Sequence, residues 1–353
     1  MDGATARLDL RLVPAALTSW AVTAAGILWQ LGGSIAAVIA ATAITAATGW
    51  CGNGRRDGEV DIRALRAGVV AVAVVGAGFA IAIGLRVDEL RHDPIVERYG
   101  TVATVVVTPT ESPRSLSGSR TMFLGTLKML DGHEISGRTV VFASARFANL
   151  AAGQPVRFRA RIGAPSRRDL TVAVLSATGE PTLGEAAPIR RVAHHLRTGF
   201  GDAARAALPV DQAAMLPALV LGDTSTLTGQ TTAEFRAAGL THLTAVSGAN
   251  VTIVCGAVLL SAALVGPRVA VALAALALVA FVIVVQPSAS VLRAAVMGGI
   301  TLMAVVSHRR RQAIPVLSAS VIVLMIAAPE LAVDVGFALS ASATAALVVV
   351  APV

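Results

Sequence analysis

Hydrogen-bonding side chains are concentrated in Phe235–Asn250, directly before an apolar segment that begins at Val251. The stretch contains His242, Ser247 and Asn250, which both donate and accept hydrogen bonds. In hydrocarbon an unpaired polar group is costly, so such a stretch persists where it lines a water-filled path or meets other protein. We therefore predict a pathway through a membrane that these three side chains line or gate.

Three charged residues extend this candidate pathway. Arg293 lies near the start of an apolar segment, and a charge at the bilayer centre costs about 2.5–3.5 kcal/mol on insertion scales and is functional by default. Snorkelling to the nearby interface is the alternative for Arg293. Asp223 and Asp334 would repel a polyanion, so we expect these carboxylates to pair with Arg293 or Arg236, or to cap helices.

Catalysis is the main competing interpretation of the same residues. Ser247 with His242 as base would make an intramembrane serine hydrolase, but such a dyad needs hydrogen-bond contact. Five residues of separation do not align two side chains on a helix, and no Gly-x-Ser-x-Gly motif surrounds Ser247. Cys51 and Cys255 lie far apart and form no ligand cluster. We predict a transport protein rather than an enzyme, with no cofactor and no metal.

The composition is typical of a polytopic membrane protein. Hydrophobic residues make up 55% of the 353 residues and charged residues 14%, against about a quarter charged in soluble domains. The formal net charge of +8 suits an anionic partner, either lipid headgroups or nucleic acid. The sequence has no Gly-x-x-x-x-Gly-Lys-Ser/Thr loop, so a separate motor or the proton gradient would drive transport.

Apolar segments long enough to span a bilayer occur in two blocks. Residues 1–86 form a block of about three, at 12–29, 33–50 and 67–85. Residues 211–353 form a block of about five, together with the re-entrant polar stretch, at 247–265, 269–285, 291–306, 313–328 and 335–352. The predicted fold is therefore a polytopic α-helical membrane protein with a polar insert between the two blocks.

Arginine placement orients these segments. Short loops rich in arginine stay in the cytoplasm, and arginines stand before the first segment, between the second and third, and in the run Arg309–Arg311. The pattern predicts a multi-pass protein of the cytoplasmic membrane with a cytoplasmic N-terminus. Residues 86–205, which include the insert, are then extracytoplasmic.

The insert, residues 87–180, has the pattern of β-strands. Short runs rich in Val, Thr and Phe, separated by turn residues, predict five strands at 101–108, 121–130, 138–142, 155–162 and 170–176. Five short strands suggest a small barrel, and a partly open barrel of the OB type, which binds oligonucleotides, is one solution.

Three arginines, Arg157, Arg159 and Arg161, alternate with apolar residues in the fourth strand; we call them the arginine ladder. Same-face neighbours on a strand lie about 6.6–7 Å apart, a spacing that suits the phosphates of an extended single strand of DNA. The alternative is an exposed strand face whose charges prevent edge pairing.

Residues 181–210 contain an amphipathic basic helix, predicted over Pro188–Leu208 and expected to lie in the membrane interface. Its apolar residues recur at helical spacing: Ile189, Val192, Ala193, Leu196, Phe200, Ala203 and Ala207. Much of the remaining surface is assigned to Arg190, Arg191, His194, His195 and Arg197.

Ordered motifs in the second membrane block carry a family resemblance. They are Leu219–Thr224 with Phe235–Asn250, then Gln286–Met297, then Pro329–Asp334 followed by Gly336–Ser340. With the preceding spans, barrel and basic helix, they resemble the ComEC family of bacterial competence proteins. The resemblance implies a channel that translocates single-stranded DNA into the cytoplasm during natural transformation. It also implies an extracytoplasmic DNA receptor and a cytoplasmic ATPase as partners.

The sequence departs from the family pattern in two places. Asn250 stands where the family usually has a second histidine, which keeps a hydrogen-bonding group but loses titration. The chain stops at Val353, inside an apolar segment, without the further C-terminal spans and the metallo-β-lactamase-like domain of family members. A truncated relative without transport function is therefore the alternative, and homo-oligomerisation is a way for the shortened block to close a pore.

Overall fold

The protein is described by a computed structural model, which covers residues 9–53, 62–116, 120–224, 227–240, 246, 248–306 and 312–350. The chain divides into two compact units. One contains Met1–Arg91 with Val296–Val353, and the other contains His92–Ala295.

The first unit is helical. Its elements are α1 (Val13–Asn53), α2 (Ile62–Arg91), α9 (Ala313–Ala327) and α10 (Val335–Val350). Helix α1 is interrupted at Gln30, whose φ of 64° and ψ of −155° are not helical. Beyond this break the Ser34 hydroxyl donates to the Val22 carbonyl at 3.5 Å, so the two apolar segments predicted at 12–29 and 33–50 fold back on each other as two arms.

Trp20 of α1 contacts the C-terminal part of this unit in two ways. Its indole Nε1 donates to the Ala332 carbonyl at 2.9 Å, and its ring meets Phe337 edge to face at a centroid distance of 5.2 Å. Phe337 is fully buried at the start of α10. The first and last described helices, α1 and α10, therefore pack on each other.

The second unit contains the remaining helices. They are α3 (Pro188–Ala207), α4 (Val210–Leu221), α5 (Gly229–Ala237), α6 (Gly248–Ser261), α7 (Pro267–Val285) and α8 (Ala289–Val306), the last of which continues into the first unit. Helices α6, α7, α8, α9 and α10 correspond to the five predicted segments. Short helices α4 and α5 were not predicted.

Four described helices are long and apolar enough to cross a membrane: Val13–Ala47, Arg66–Arg98, Pro267–Val285 and Ala289–Val306. Four shorter apolar helices accompany them, at Val210–Leu221, Gly248–Ser261, Ala313–Ala327 and Val335–Val349. The prediction of a mostly helical chain with several apolar helices is confirmed, whereas membrane insertion and orientation stay predictions.

A closed barrel of five strands forms the insert. Its strands are β1 (Val102–Pro109), β3 (Arg120–Leu130), β4 (His133–Ser144), β5 (Val156–Gly163) and β6 (Thr171–Leu183), and the short β2 (Arg114–Leu116) pairs with β3. The order around the barrel is β1, β5, β6, β4, β3 and back to β1, with β4 and β6 parallel and the other pairs antiparallel. All five predicted strands are present, and β2 is additional.

Alternation of side chains produces the barrel interior. Phe123, Leu127 and Val141 are fully buried, and Gly125 faces inward, where a Cβ would lie 2.5 Å from Val107 Cγ1. Glycine at this position therefore permits β1 and β3 to approach closely. The Tyr99 hydroxyl, before β1, donates to the Val172 carbonyl at 2.6 Å.

Candidate functional site

A polar cavity of about 260 Å³ lies in the second unit, where residues of the first two sequence motifs meet. It is bounded by the loop between β1 and β2, the ends of α4 and α7, and the start of α8. Its polar lining consists of Glu111, Ser112, Arg114, Arg197, Asp223, Thr224, Gln286 and Ser288. We call this feature the polar cavity.

The cation of the polar cavity is Arg197 of α3. Its side chain is only 6% exposed, and Nη2 lies 3.3 Å from Oδ2 of Asp223. Nη1 donates to three main-chain carbonyls, those of Val284 at 2.9 Å, Val285 at 3.1 Å and Leu221 at 3.4 Å. These carbonyls belong to the last turns of α4 and α7, where the helix dipole is negative. One guanidinium therefore holds two helix ends and a carboxylate together.

Burial lowers the pKa of Arg197, and the charge and hydrogen bond of Asp223 act in the opposite direction. Arginine nevertheless keeps its proton in proteins. A buried guanidinium requires several acceptors to offset its lost hydration. The carboxylate and the three carbonyls supply them.

The position of Arg197 follows from how α3 packs. The buried face of α3 consists of Ala193, Arg197, Gly201 and Ala204, and small residues at helical spacing let a neighbouring backbone approach. The larger apolar residues Ile189, Val192 and Leu196 are each more than half exposed. Assigning Arg197 to the exposed surface was wrong, because the small residues rather than the large ones face the protein. The spacing of Ala193, Gly201 and Ala204 is the sequence signal that was missed.

Asp223 reaches Arg197 because of the turn that ends α4. Gly222 adopts a left-handed conformation, with φ of 67°, which is a common helix terminator. Its N–H donates to the Ala218 carbonyl at 3.0 Å, and the Asp223 N–H donates to the Pro217 carbonyl at 3.2 Å. The ion pair of Asp223 is thus to Arg197, a partner that the sequence analysis did not nominate.

Gln286 connects the barrel to the same place. Its amide oxygen accepts from the Ser112 N–H at 3.0 Å, and its amide nitrogen donates to the Ser112 hydroxyl at 3.0 Å. Its backbone, between α7 and α8, has φ of 74° and ψ of 145°, a region that favours glycine. A strained residue is therefore held by two hydrogen bonds to a barrel loop 174 positions away in sequence.

The starts of α6 and α8 pack beside the polar cavity. The Ser290 hydroxyl donates to the Val246 carbonyl at 2.9 Å, and a Cβ on Gly248 would lie 3.5 Å from that of Ala294. The amide of Asn250 donates to the Leu219 carbonyl of α4 at 3.1 Å. An apolar cluster lies beneath, formed by Leu221, Val246, Val285 and Val291.

Arg293 lies three residues beyond Ser290 on α8, about one helical turn further along the chain. Its side chain is buried, with 7% exposure. A side chain packed inside protein is not one that extends to the interface. The burial therefore favours an internal role for Arg293 over snorkelling.

The other predicted site residues are distributed as follows. Asp334 accepts from the Phe337 N–H at 2.6 Å and so caps α10, one of the two roles expected for it. It belongs to the first unit, whereas Asp223, Asn250 and Arg293 belong to the second. His242 and Ser247 lie outside the described residues.

The arginine ladder lies on the outer face of the barrel. Arg157, Arg159 and Arg161 are exposed, while Val156, Phe158, Ala160 and Ile162 between them are buried. Strand β5 is paired on both sides, with β1 and with β6. The ladder therefore runs along an interior strand, and prevention of edge pairing does not explain its charges.

Among the described residues, no group of three or more His, Cys, Asp or Glu side chains is arranged to hold a metal ion. The buried polar groups of the polar cavity are instead engaged with each other. Within the part of the chain that the structure describes, every buried side-chain N or O atom has a hydrogen-bond partner.

Residues 219–353 match the sequence model of the family described as competence protein. The matched range includes the end of α4, Gln286 and Arg293. This segment is similar to competence proteins. The ComEC resemblance is thereby confirmed, and the match indicates a role in competence. Arg197 and the barrel lie outside the matched range, and no curated protein or solved structure shows a significant match.

Proposed function

We propose that this chain forms a membrane pathway for single-stranded DNA into the cytoplasm during natural transformation. The competence family match supports a role in DNA uptake. The observation that carries the finer proposal is the buried Arg197, which joins the ends of α4 and α7 to Asp223 beside a polar cavity. On this proposal the polar cavity is the mouth of the pathway.

A polyanion that crosses about 30 Å of hydrocarbon needs water, donors and cations along its route. The polar cavity supplies hydroxyl, amide and guanidinium groups at the start of the apolar helix α8. Arg293 follows about one turn into that helix and is enclosed by protein. Because Asp223 is neutralised by Arg197, its carboxylate repels DNA less than a free carboxylate would. We assign Asn250 to the same wall and His242 and Ser247 to the gate.

The barrel supports a DNA-binding role. Strands β5, β1, β3 and β4 lie side by side in that order, which is a Greek key, and a five-stranded Greek-key barrel describes the OB type. We infer that the arginine ladder contacts phosphates of the incoming strand. The ladder lies on β5, whereas the usual DNA-binding surface of an OB barrel is formed by its second and third strands, which are β3 and β4 in this protein.

The same proposal includes the membrane placement of the chain and its partner proteins. The exposed Ile189, Val192 and Leu196 of α3 suit the hydrocarbon edge of a bilayer, with the exposed Arg191 at the headgroups. The N-terminus is cytoplasmic and the barrel extracytoplasmic. An external receptor delivers DNA, a cytoplasmic ATPase drives it, and association of several copies completes the pore.

Uptake of labelled DNA into the cytoplasm tests the proposal. Cells deleted for this gene are complemented with the wild type, with Arg293→Gln, or with Arg268→Gln as an exposed arginine control at the start of α7. At equal membrane abundance we expect the wild type and Arg268→Gln to restore uptake and Arg293→Gln to fail. Unchanged uptake in the deletion strain would instead identify a relative without transport function.

The hydrolase alternative has its own test. Ser247 and His242 lie outside the described residues, so no geometry supports or opposes their contact. Labelling of the purified protein at Ser247 by a serine-directed phosphonate, lost in His242→Ala, would favour an enzyme. We expect no labelling.

A further inference from the structure

An apolar groove of about 380 Å³ lies in the first unit, and none of the predicted site residues lines it. Its floor is one face of α2, on which lining residues recur three or four positions apart from Val74 to Arg86. Helix α9 contributes Ile322, Met325 and Ile326 to the opposite wall. Its volume is within the range of about 300–1,000 Å³ that is typical of small-molecule sites.

The groove has one charged end. Arg86 is the charged residue among its lining residues and is exposed, whereas the rest of the lining is apolar apart from Thr23 of α1. The distance along α2 from Val74 to Arg86 is about 18 Å at 1.5 Å per residue. This matches the thickness of about 15 Å of hydrocarbon in one leaflet of a bilayer.

We propose that this groove binds one anionic phospholipid, with an acyl chain along α2 and the headgroup phosphate on Arg86. A groove in a membrane-embedded surface cannot stay empty, because its lining would lose dispersion contacts. Acyl chains are the apolar molecules available there. A guanidinium at the end of the groove selects for a phosphate with net negative charge, through charge-assisted hydrogen bonds.

The site rests on membrane insertion but not on the proposed DNA pathway. On the predicted orientation, Arg86 is at the outer end of α2, so the lipid belongs to the outer leaflet. A lipid held in the groove would fill the space between α2 and α9. The expected consequence is lipid that stays bound when bulk lipid is removed.

Native mass spectrometry of the full chain in detergent tests the site. The probes are phosphatidylglycerol and phosphatidylcholine with identical acyl chains. Gly78 lines the groove, and a Cβ there would meet no atom within 4 Å, so Gly78→Leu fills the groove without a clash at Cβ. Gly68→Leu is its control, since Gly68 is equally open but does not line the groove. Arg86→Gln removes the charge, and Arg66→Gln is the control at the other end of α2.

We expect the wild type and both control variants to retain phosphatidylglycerol in preference to phosphatidylcholine. Gly78→Leu should reduce retention of both lipids. Arg86→Gln should weaken phosphatidylglycerol binding by at least about tenfold, as loss of one charge-assisted hydrogen bond does. Equal retention in all variants would overturn the proposal in favour of nonspecific surrounding lipid. A lipid-free dimer that is lost in Gly78→Leu would also overturn it, by assigning the groove to a second copy of the chain.

Discussion

Replacing the arginine ladder with glutamine tests the inferred DNA contact directly. In the triple variant Arg157→Gln, Arg159→Gln, Arg161→Gln, three exposed charges are removed from β5 while the buried residues between them stay in place. Each phosphate neutralised on a single strand contributes about 0.7 to the slope of log affinity against log salt. If each arginine contacts one phosphate, the slope should fall by about 2.1.

The measurement is binding of labelled single-stranded DNA to the full chain across a salt series. The ratio of wild-type affinity to variant affinity is the quantity compared. With a slope difference of about 2.1, this ratio should be about 18-fold smaller at about 200 mM salt than at about 50 mM salt. Measuring the slope rather than one affinity separates loss of charge contacts from a general loss of folded protein. A ratio that stays constant with salt would show that the ladder makes no phosphate contact.

A matched variant removes three charges from strands β3 and β4, which are not paired with β5. Arg120 and Lys128 on β3 are exposed, and Arg138 on β4 lies opposite Thr126 on the same outer face. Their triple replacement by glutamine changes the net charge by the same amount. The ladder reasoning requires a smaller slope change in this control. If the control variant shows the larger slope change and the ladder variant has the wild-type slope, DNA binds the usual OB surface on β3 and β4. That result would refute the assignment of DNA binding to the arginine ladder.

Three further predictions concern stability. Arg197→Met should lower the free energy of unfolding by about 1–3 kcal/mol, because three main-chain carbonyls at the ends of α4 and α7 lose their buried donor. Arg205→Met, which breaks an exposed ion pair, should cost at most about 1 kcal/mol, and equal losses in thermal unfolding would contradict the role of Arg197. In the same assay Gln286→Ala should be less stable than Gln286→Gly. Both variants lose the two hydrogen bonds to Ser112, but only glycine relieves about 1–3 kcal/mol of backbone strain. The reverse order of stability would show that the backbone at Gln286 is not strained. Burial, and to a lesser extent the charge of Asp93, raises the pKa of Tyr99. The buried neutral phenol therefore contributes to stability below about pH 10, the usual tyrosine pKa. This contribution is lost as the pH rises through the pKa of Tyr99 in the folded protein. Tyr99 is the single tyrosine of the chain, so its phenolate absorbance follows it alone, and a midpoint at or below that of free tyrosine would contradict the prediction.

Local patterns in the sequence were sufficient for most of the elements. Strands β1, β3 and β5 were predicted nearly to their ends, since alternation with period two records which face of a strand is buried. The five apolar helices of the second block were found for a related reason, because continuous hydrophobicity over a span is a local property. The ComEC motifs likewise came from short ordered runs of residues.

Contacts between distant segments were decided by the tertiary structure. Arg197 looks like one more exposed arginine on a basic helix, and only the packing of Ala193, Gly201 and Ala204 places it against α4 and α7. The bond between Gln286 and Ser112 joins positions 174 residues apart, and no local pattern encodes such a distance. The fold-back of α1 at Gln30 similarly depends on the contacts of its two arms.

What the sequence by itself determined was the strands, the apolar helices and the motifs that resemble the competence family. What only the tertiary structure decided was the partner of each charge. Asp223 pairs with Arg197, Asp334 caps α10, and Arg293 is enclosed by protein. The physical reason is that hydrophobic periodicity is read along one element, whereas a buried charge is stabilised by whichever acceptors the fold brings to it.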